Sequence, residues 1–228
     1  MDEQQTDDAS WQPLDETQRR VLGVLIEKAK TTPDNYPISL ASLTAGCNQK
    51  SNRAPQMQLD EEEVDLALDQ LRGMGLVSEV QGGRVSKFRH LAYDWLGVKG
   101  HQIAVVTELL LRGPQTVGEL RSRASRMETF DSMEALLPVL EQLKERGLIF
   151  DLTPPGRGQL VAHCLYEPDE LARIKEQASG GAAKQSASPA SINRSATTPA
   201  EVEALRAEIA ELRQEIAGLK TRIEVLES

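Results

Sequence analysis

Aromatic side chains are scarce in this chain, at 4% of 228 residues, against a hydrophobic share of 39%. A packed interior must therefore be built from Leu, Val, Ile and Ala, which favours helices over sheets. Cysteine is nearly absent: Cys47 and Cys164 stand alone, without C-x-x-C spacing, which fits a reducing compartment better than a disulfide scaffold. Positive charge is short as well, with 26 Lys and Arg against 35 Asp and Glu for a net charge of −9. The deficit is −6 over residues 1–96, −1 over 97–175 and −2 over 176–228. No segment is a basic domain, so any attraction to nucleic acid or anionic lipid must come from a local patch. There is no apolar run long enough to span a bilayer, and the acidic residues 1–10 contain no signal-peptide core. The expectation is a cytoplasmic protein without membrane contact.

Catalytic signatures are also missing. There is no P-loop, no G-x-S-x-G and no H-E-x-x-H. His90, His101 and His163 follow no metal-ligand spacing and read as surface or half-buried residues. His163 and Cys164, adjacent on a strand, point to opposite faces. The expectation is a non-enzymatic protein with no cofactor, no metal and no evident small-molecule substrate.

What is present is a pattern of short helices and hairpins. Residues 1–12 read as a disordered acidic arm. A first helix opens with Asp15 and Gln18 as a capping box and carries Val21, Leu22, Leu25, Ile26 and Ala29 on one face. The turn Thr31-Thr32-Pro33-Asp34-Asn35-Tyr36-Pro37 stops it. A short helix capped by Ser39 follows, then the polar loop Cys47-Asn48-Gln49-Lys50-Ser51-Asn52-Arg53-Ala54-Pro55. A third helix starts at Asp60 with Glu63 in capping-box position, buries Val64, Ala67, Leu68, Leu71 and Met74, and stops at Gly75. Residues 76–80 and 85–90 around the turn 81–84 read as a β-hairpin.

The same order then returns. Ile103 to Leu111 is a helix closed by Gly113, Thr116 and Glu119 box a second helix through Arg123, and Asp131 to Glu134 opens a third that runs to Gly147. Residues 148–152 and 160–165 around Pro154 to Gly158 make a second hairpin. Pro138 inside that third helix costs about 3 kcal/mol unless the helix starts late or kinks, so one or the other is expected. Three helices followed by a hairpin, twice, is the order of two tandem winged helix-turn-helix domains, over 13–96 and 97–175. The first copy has eight extra residues after its first helix and five before its third, and added loops are where a scaffold acquires function.

Residues 176–200 are poor in apolar bulk and read as a flexible linker. In 201–228, Val202, Leu205, Ile209, Leu212, Ile216, Leu219, Ile223 and Leu226 alternate spacings of three and four, giving a coiled-coil helix about 42 Å long. β-Branched residues at a, leucine at every d, and the pairs Glu201–Arg206, Glu208–Arg213, Glu215–Lys220 and Arg222–Glu227 favour a parallel homodimer. A helix folded back on its own domain is the competing reading.

A winged helix ordinarily suggests DNA binding through its third helix. Here that helix begins Asp60-Glu61-Glu62-Glu63 and continues with Asp65 and Asp69, carboxylates that cap it and would repel phosphates. Positive charge lies instead in the loop (Lys50, Arg53), the first hairpin (Arg84, Lys87, Arg89) and, in the second copy, at Arg112, Arg121, Arg123, Arg126 and Arg157. Asn48, Gln49, Lys50, Asn52, Arg53, Arg84, Lys87, Arg89, Arg121, Arg123, Arg126 and Arg157 are the candidate contacts to DNA or a protein partner, and their matching placement in both copies supports them. DNA binding through loops and wings is the first expectation, and a protein-interaction scaffold without direct DNA binding is the second.

Thr31 to Pro37, Cys47 to Pro55, and the run Leu109-Leu110-Leu111-Arg112-Gly113-Pro114-Gln115-Thr116-Val117-Gly118-Glu119-Leu120-Arg121-Ser122-Arg123 together resemble the signatures of the YceH-like family of uncharacterised bacterial proteins. The resemblance covers roughly residues 14–170. Val117 replaces an expected proline and Gln56 an expected valine. It implies tandem winged helices and a terminal coiled coil, and brings no activity with it.

Overall fold

The computed structural model describes residues 11–81 and 85–185. The acidic arm through residue 10, Arg84, the linker from 186 and the heptad residues Val202 to Leu226 lie outside the described residues. Mainly helical, with two small antiparallel sheets, the described chain repeats one element order.

In the first copy, α1 (Glu16–Thr31) leads through a 3-10 turn at Pro33–Asn35 to β1 (Ile38–Ser39), α2 (Leu40–Cys47), α3 (Glu61–Gly73), β2 (Val77–Val80) and β3 (Lys87–His90). A short α4 (Ala92–Leu96) joins it to the second copy: α5 (Gly100–Arg112), β4 (Gln115–Thr116), α6 (Val117–Ala124), α7 (Met133–Glu145), β5 (Ile149–Asp151) and β6 (Leu160–His163). α8 (Pro168–Gln185) follows. The sheets have equivalent strand orders, β1-β3-β2 and β4-β6-β5. Ile38 pairs with Phe88 and Val77 with His90; Gln115 pairs with Val161 and Ile149 with His163.

Local chemistry sets the helix starts. Asp15 and Gln18, Asp60 and Glu63, and Thr116 and Glu119 form reciprocal capping boxes, while Ser39 and Ser132 cap α2 and α7. Each box satisfies two backbone donors that a helix end leaves open. Pro138 does not delay α7, which begins at Met133 and continues past it to Glu145. Both Pro138 and Glu134 are exposed, so solvent can serve the Glu134 carbonyl that the proline leaves without an amide donor.

The described residues form one compact unit with a continuous core that includes Leu22, Leu25, Leu68, Val105, Leu109 and Leu140. α1 lies against α5. Gly23 permits that approach, since a Cβ there would stand 2.9 Å from Leu111 Cδ2. Two boundaries shift from the sequence reading. Trp11, assigned to the disordered arm, packs its ring 5.3 Å from that of Trp95, an aromatic pair that anchors the chain before α1. The stretch 177–185, assigned to the linker, continues α8, because Gln177, Ala178, Ala182, Ala183, Lys184 and Gln185 are good helix formers that outweigh two glycines.

Candidate functional site

The loop between α2 and α3 is thirteen residues long, against eight between α6 and α7. Asn48 closes it: its side-chain amide donates to Leu59 O at 2.7 Å and its Oδ1 accepts from Leu59 N at 2.8 Å. Inside the closed loop, Asn52 adopts the left-handed conformation with φ 61° and accepts a bond from Arg112 Nη2 at 2.6 Å. Ala54 N donates to Leu111 O at 3.0 Å. Arg20 on α1 donates to Cys47 O at 2.9 Å and Pro55 O at 2.6 Å. The loop is thus tied to the first helix of both copies.

Arg53 corrects the sequence reading. Its side chain is 0% exposed, and its guanidinium donates to both carboxylate oxygens of Glu27, at 3.2 and 2.5 Å, and to Gly46 O at 3.0 Å. A guanidinium saturated by a buried carboxylate and backbone carbonyls has no donors to offer a partner. The second copy builds a matching joint: Arg126 Nη2 lies 3.2 Å from Glu108 Oε2 and 3.2 Å from Glu27 Oε1. Arg112 Nε lies 2.6 Å from the other Glu108 oxygen. Burial pushes Glu27 up, but the Arg53 hydrogen bond and charge, with Arg126 behind them, hold its carboxyl below the usual carboxylate range.

The other candidate contacts disperse. Lys50, Lys87, Arg89 and Arg157 are exposed; Arg89 Nε also donates to Ser78 Oγ at 2.9 Å. Arg121 is half-buried. Arg123 is held by Gln115 Oε1 at 2.7 Å and Glu119 Oε1 at 3.0 Å. Gln49 accepts from Arg53 Nη2 at 3.3 Å. Thus Asn48, Gln49, Asn52, Arg53 and Arg126 come together as the internal joint of the two copies, while Lys50, Lys87, Arg89 and Arg157 remain presented to solvent. His163, expected at the surface or half-buried, is fully buried because its strand β6 is the central one of its sheet.

Glu27, Glu108, Arg19 and Arg20 were not singled out from the sequence. Their signal is a charged residue inside an apolar helical run, as in Leu25-Ile26-Glu27 and Val106-Thr107-Glu108-Leu109, where burial demands an opposite charge.

A second feature is an open groove of about 580 Å³ along α3, walled by the start of α1 and by α8. Its lining includes Glu16, Glu63, Leu66, Glu167 and Glu170, with Arg173 as its basic member. Leu66 is 62% exposed there. α7 repeats this character with Leu137, 47% exposed, among exposed Glu134, Glu141 and Glu145. Among the described residues no group of His, Cys, Asp and Glu is placed to hold a metal ion, and no helix is long and apolar enough to cross a membrane.

Residues 14–157 match the family described as "Protein of unknown function, DUF480". The chain belongs to this family. A UPF0502 protein of Rhodopirellula baltica is 57% identical over 194 residues, covering 83% of this chain and 80% of the relative. One from Acidovorax is 41% identical over 208 residues, covering 88% and 92%, and one from Burkholderia cenocepacia is 40% identical over 192 residues, covering 82% and 77%. DUF480 membership agrees with the YceH-like resemblance, and the matched span contains the α2–α3 loop, Glu27, Glu108 and Arg126 together.

Proposed function

We propose that this chain is a non-enzymatic protein-interaction scaffold built from two tandem winged helices, and that the groove along α3 docks a basic, partly apolar segment of another protein. The observation that carries the reading is Leu66, exposed in a groove walled by carboxylates. An exposed leucine ringed by acid suits an apolar anchor flanked by Lys or Arg, and the same carboxylates oppose phosphates. The repeated order α-β-α-α-β-β with equivalent sheets supports the winged-helix reading. The heptads from Val202 to Leu226 would pair two chains in parallel and present two grooves per assembly.

A photo-crosslinking residue placed at position 66 in the native host tests this. The expected result is a discrete protein adduct that, once purified, binds the full chain in a salt-sensitive manner and at least tenfold more weakly after Leu66→Asp. DNA binding through loops and wings is the reading to beat, since Lys50, Lys87 and Arg89 are exposed. A salt-sensitive shift of duplex DNA, abolished by Lys50→Ala/Lys87→Ala/Arg89→Ala, with no protein adduct at 66, would overturn the scaffold reading. Light scattering should show a dimer for the full chain and a monomer for a chain ending at Ala200; the same oligomeric state in both refutes the coiled-coil dimer.

A further inference from the structure

A cavity of about 160 Å³ lies where the two copies meet, between α1, the α2–α3 loop, the end of α5, the residues after β6, and α8. Its walls include Arg19, Arg20, Arg112, His163, Tyr166 and Glu170. Four buried polar atoms on those walls make no hydrogen bond among the described residues; Arg112 Nε faces Glu108 Oε1 at 2.6 Å as an ion pair, which leaves three without a partner: Arg20 Nε, His163 Nε2 and Tyr166 OH. His163 is 0% exposed and Tyr166 5%. Buried polar atoms are nearly always satisfied, so three lining one cavity call for a common cause.

All three can act as donors. His163 Nδ1 accepts from Leu165 N at 3.1 Å, which fixes the tautomer and places the ring proton on Nε2. The ring stacks on Tyr166, with centroids 3.8 Å apart and planes at 21°. Arg20 Nε can only donate.

Charge points the same way. Arg19 is neutralised by Glu170 at 2.6 Å and Arg112 by Glu108 at 2.6 Å. Arg20, 2% exposed, has only the carbonyls of Cys47 and Pro55 as hydrogen-bond partners and, among the described residues, no ion pair. Burial, and then the neighbouring Arg53 charge, lower its pKa, and the Glu16 carboxylate on the same wall offsets them only in part, so its cationic form is short of counter-charge. A molecule that satisfies this wall must bring acceptor atoms and negative charge.

We infer that this cavity is a binding site for a small anion, a carboxylate or a tetrahedral oxyanion, gripped by Arg20, His163 and Tyr166. Its volume equals roughly five waters at ~30 Å³ each, which admits acetate or phosphate and excludes a nucleotide. Gly113, with φ +73°, keeps the wall beside the tyrosine low: a Cβ there would sit 3.5 Å from Tyr166 OH. Because α1, the loop and α5 all line the cavity, a bound anion would brace one copy against the other. The cavity shares Glu16 and Glu170 with the docking groove, but Leu66 lines only the groove and Tyr166 only the cavity, so Leu66→Asp and Tyr166→Phe test the two separately.

The test uses the full chain at pH 7, titrated separately with sodium acetate and sodium phosphate while sodium chloride holds the ionic strength fixed. Melting temperature and the ¹⁵N signals of His163 are followed together. The expected result is a saturable rise in Tm with one of the two anions, a concurrent shift of the His163 Nε2 resonance, and at least fivefold weaker binding in Tyr166→Phe, which removes a donor at nearly constant volume. Lys50→Ala should bind as wild type does. No saturable response to either anion, or a response equal in Tyr166→Phe and in wild type, overturns the site. Should Tyr166→Phe not fold, the wild-type His163 signal decides: unmoved at saturating anion, it overturns the site.

Discussion

The loops α2–α3 and α6–α7 occupy equivalent places in the two copies, and each sends an arginine to a glutamate of its own first helix: Arg53 to Glu27, and Arg126 to Glu108. The copies differ in how completely the pair is enclosed. Arg53 is 0% exposed and bidentate, whereas Arg126 is 33% exposed and divides one nitrogen between Glu27 and Glu108. Recurrence of a basic residue in a repeat looks like a shared binding function. Here it marks a joint that the repeated fold uses twice, and the five extra residues of the first loop go into enclosing it.

The strongest way to break this comparison is to remove one member of the enclosed pair. Arg53→Met strands Glu27 in the interior with only the half-exposed Arg126 for company, and breaking a buried pair in this way costs about 3–5 kcal/mol. Urea denaturation should show that loss. Glu27→Leu/Arg53→Met should recover most of it, because two apolar side chains need no compensation. A loss under about 1 kcal/mol in the single variant would mean the pair does not hold the loop against α1.

Acid probes the same interior through groups that burial keeps neutral. Burial, with Lys30 nearby, pushes His90 down to about 4, and burial with the Arg19 charge pushes His163 well below its ordinary value. The unfolded chain then binds more protons than the folded one as pH drops below 6.5. Stability is fully present above that pH and falls as it approaches 4. For half-buried His90 the loss is about 1–2 kcal/mol once solvent screening is allowed for. Below 4.5 the depressed Glu27 carboxyl adds a second loss, complete only when pH passes through its lowered folded value. Denaturation at pH 7 and 5 should differ in this direction, and His90→Phe should flatten the upper part of the slope. A flat profile between 7 and 4.5 would show that both rings reach solvent.

How much of this was legible depended on distance along the chain. Capping boxes at Asp15, Asp60 and Thr116 span three residues, so the sequence placed those helix starts correctly. β1 and β4, two residues each, are too short to show an alternating pattern and exist through pairing with β3 and β6. The Arg53–Glu27 pair spans 26 residues and the Arg126–Glu108 pair 18, and nothing local links them. His163 is buried where its sequence surroundings suggest partial exposure, because a strand's central place in its sheet is a tertiary property. Leu66 gives no signal among its charged neighbours, because Val64, Ala67 and Leu68 define the buried face of α3 and Leu66 lies off it.

The half-exposed member of the comparison should respond more weakly. Arg126→Met removes an ion pair that water already reaches, and such pairs are worth about 1 kcal/mol or less. Glu27 retains Arg53, and Glu108 retains Arg112 at 2.6 Å, so neither carboxylate is abandoned. If Arg126→Met costs as much as Arg53→Met, enclosure is not what separates the two loops.

Lys50 gives the smallest effect and the sharpest contrast, because it lies three residues from Arg53 in the same loop. Its side chain is exposed, so Lys50→Ala should change stability by no more than about 0.5 kcal/mol. The loop's hold on the two copies runs through Asn48, Asn52, Arg53 and Ala54, none of which needs the Lys50 ammonium. A larger loss would mean that the loop's surface is as structural as its interior. A negligible loss separates the two roles and leaves Lys50 as the one cation of this loop available to a partner, so the lysine, and no longer the arginine, is the residue to vary when binding is assayed.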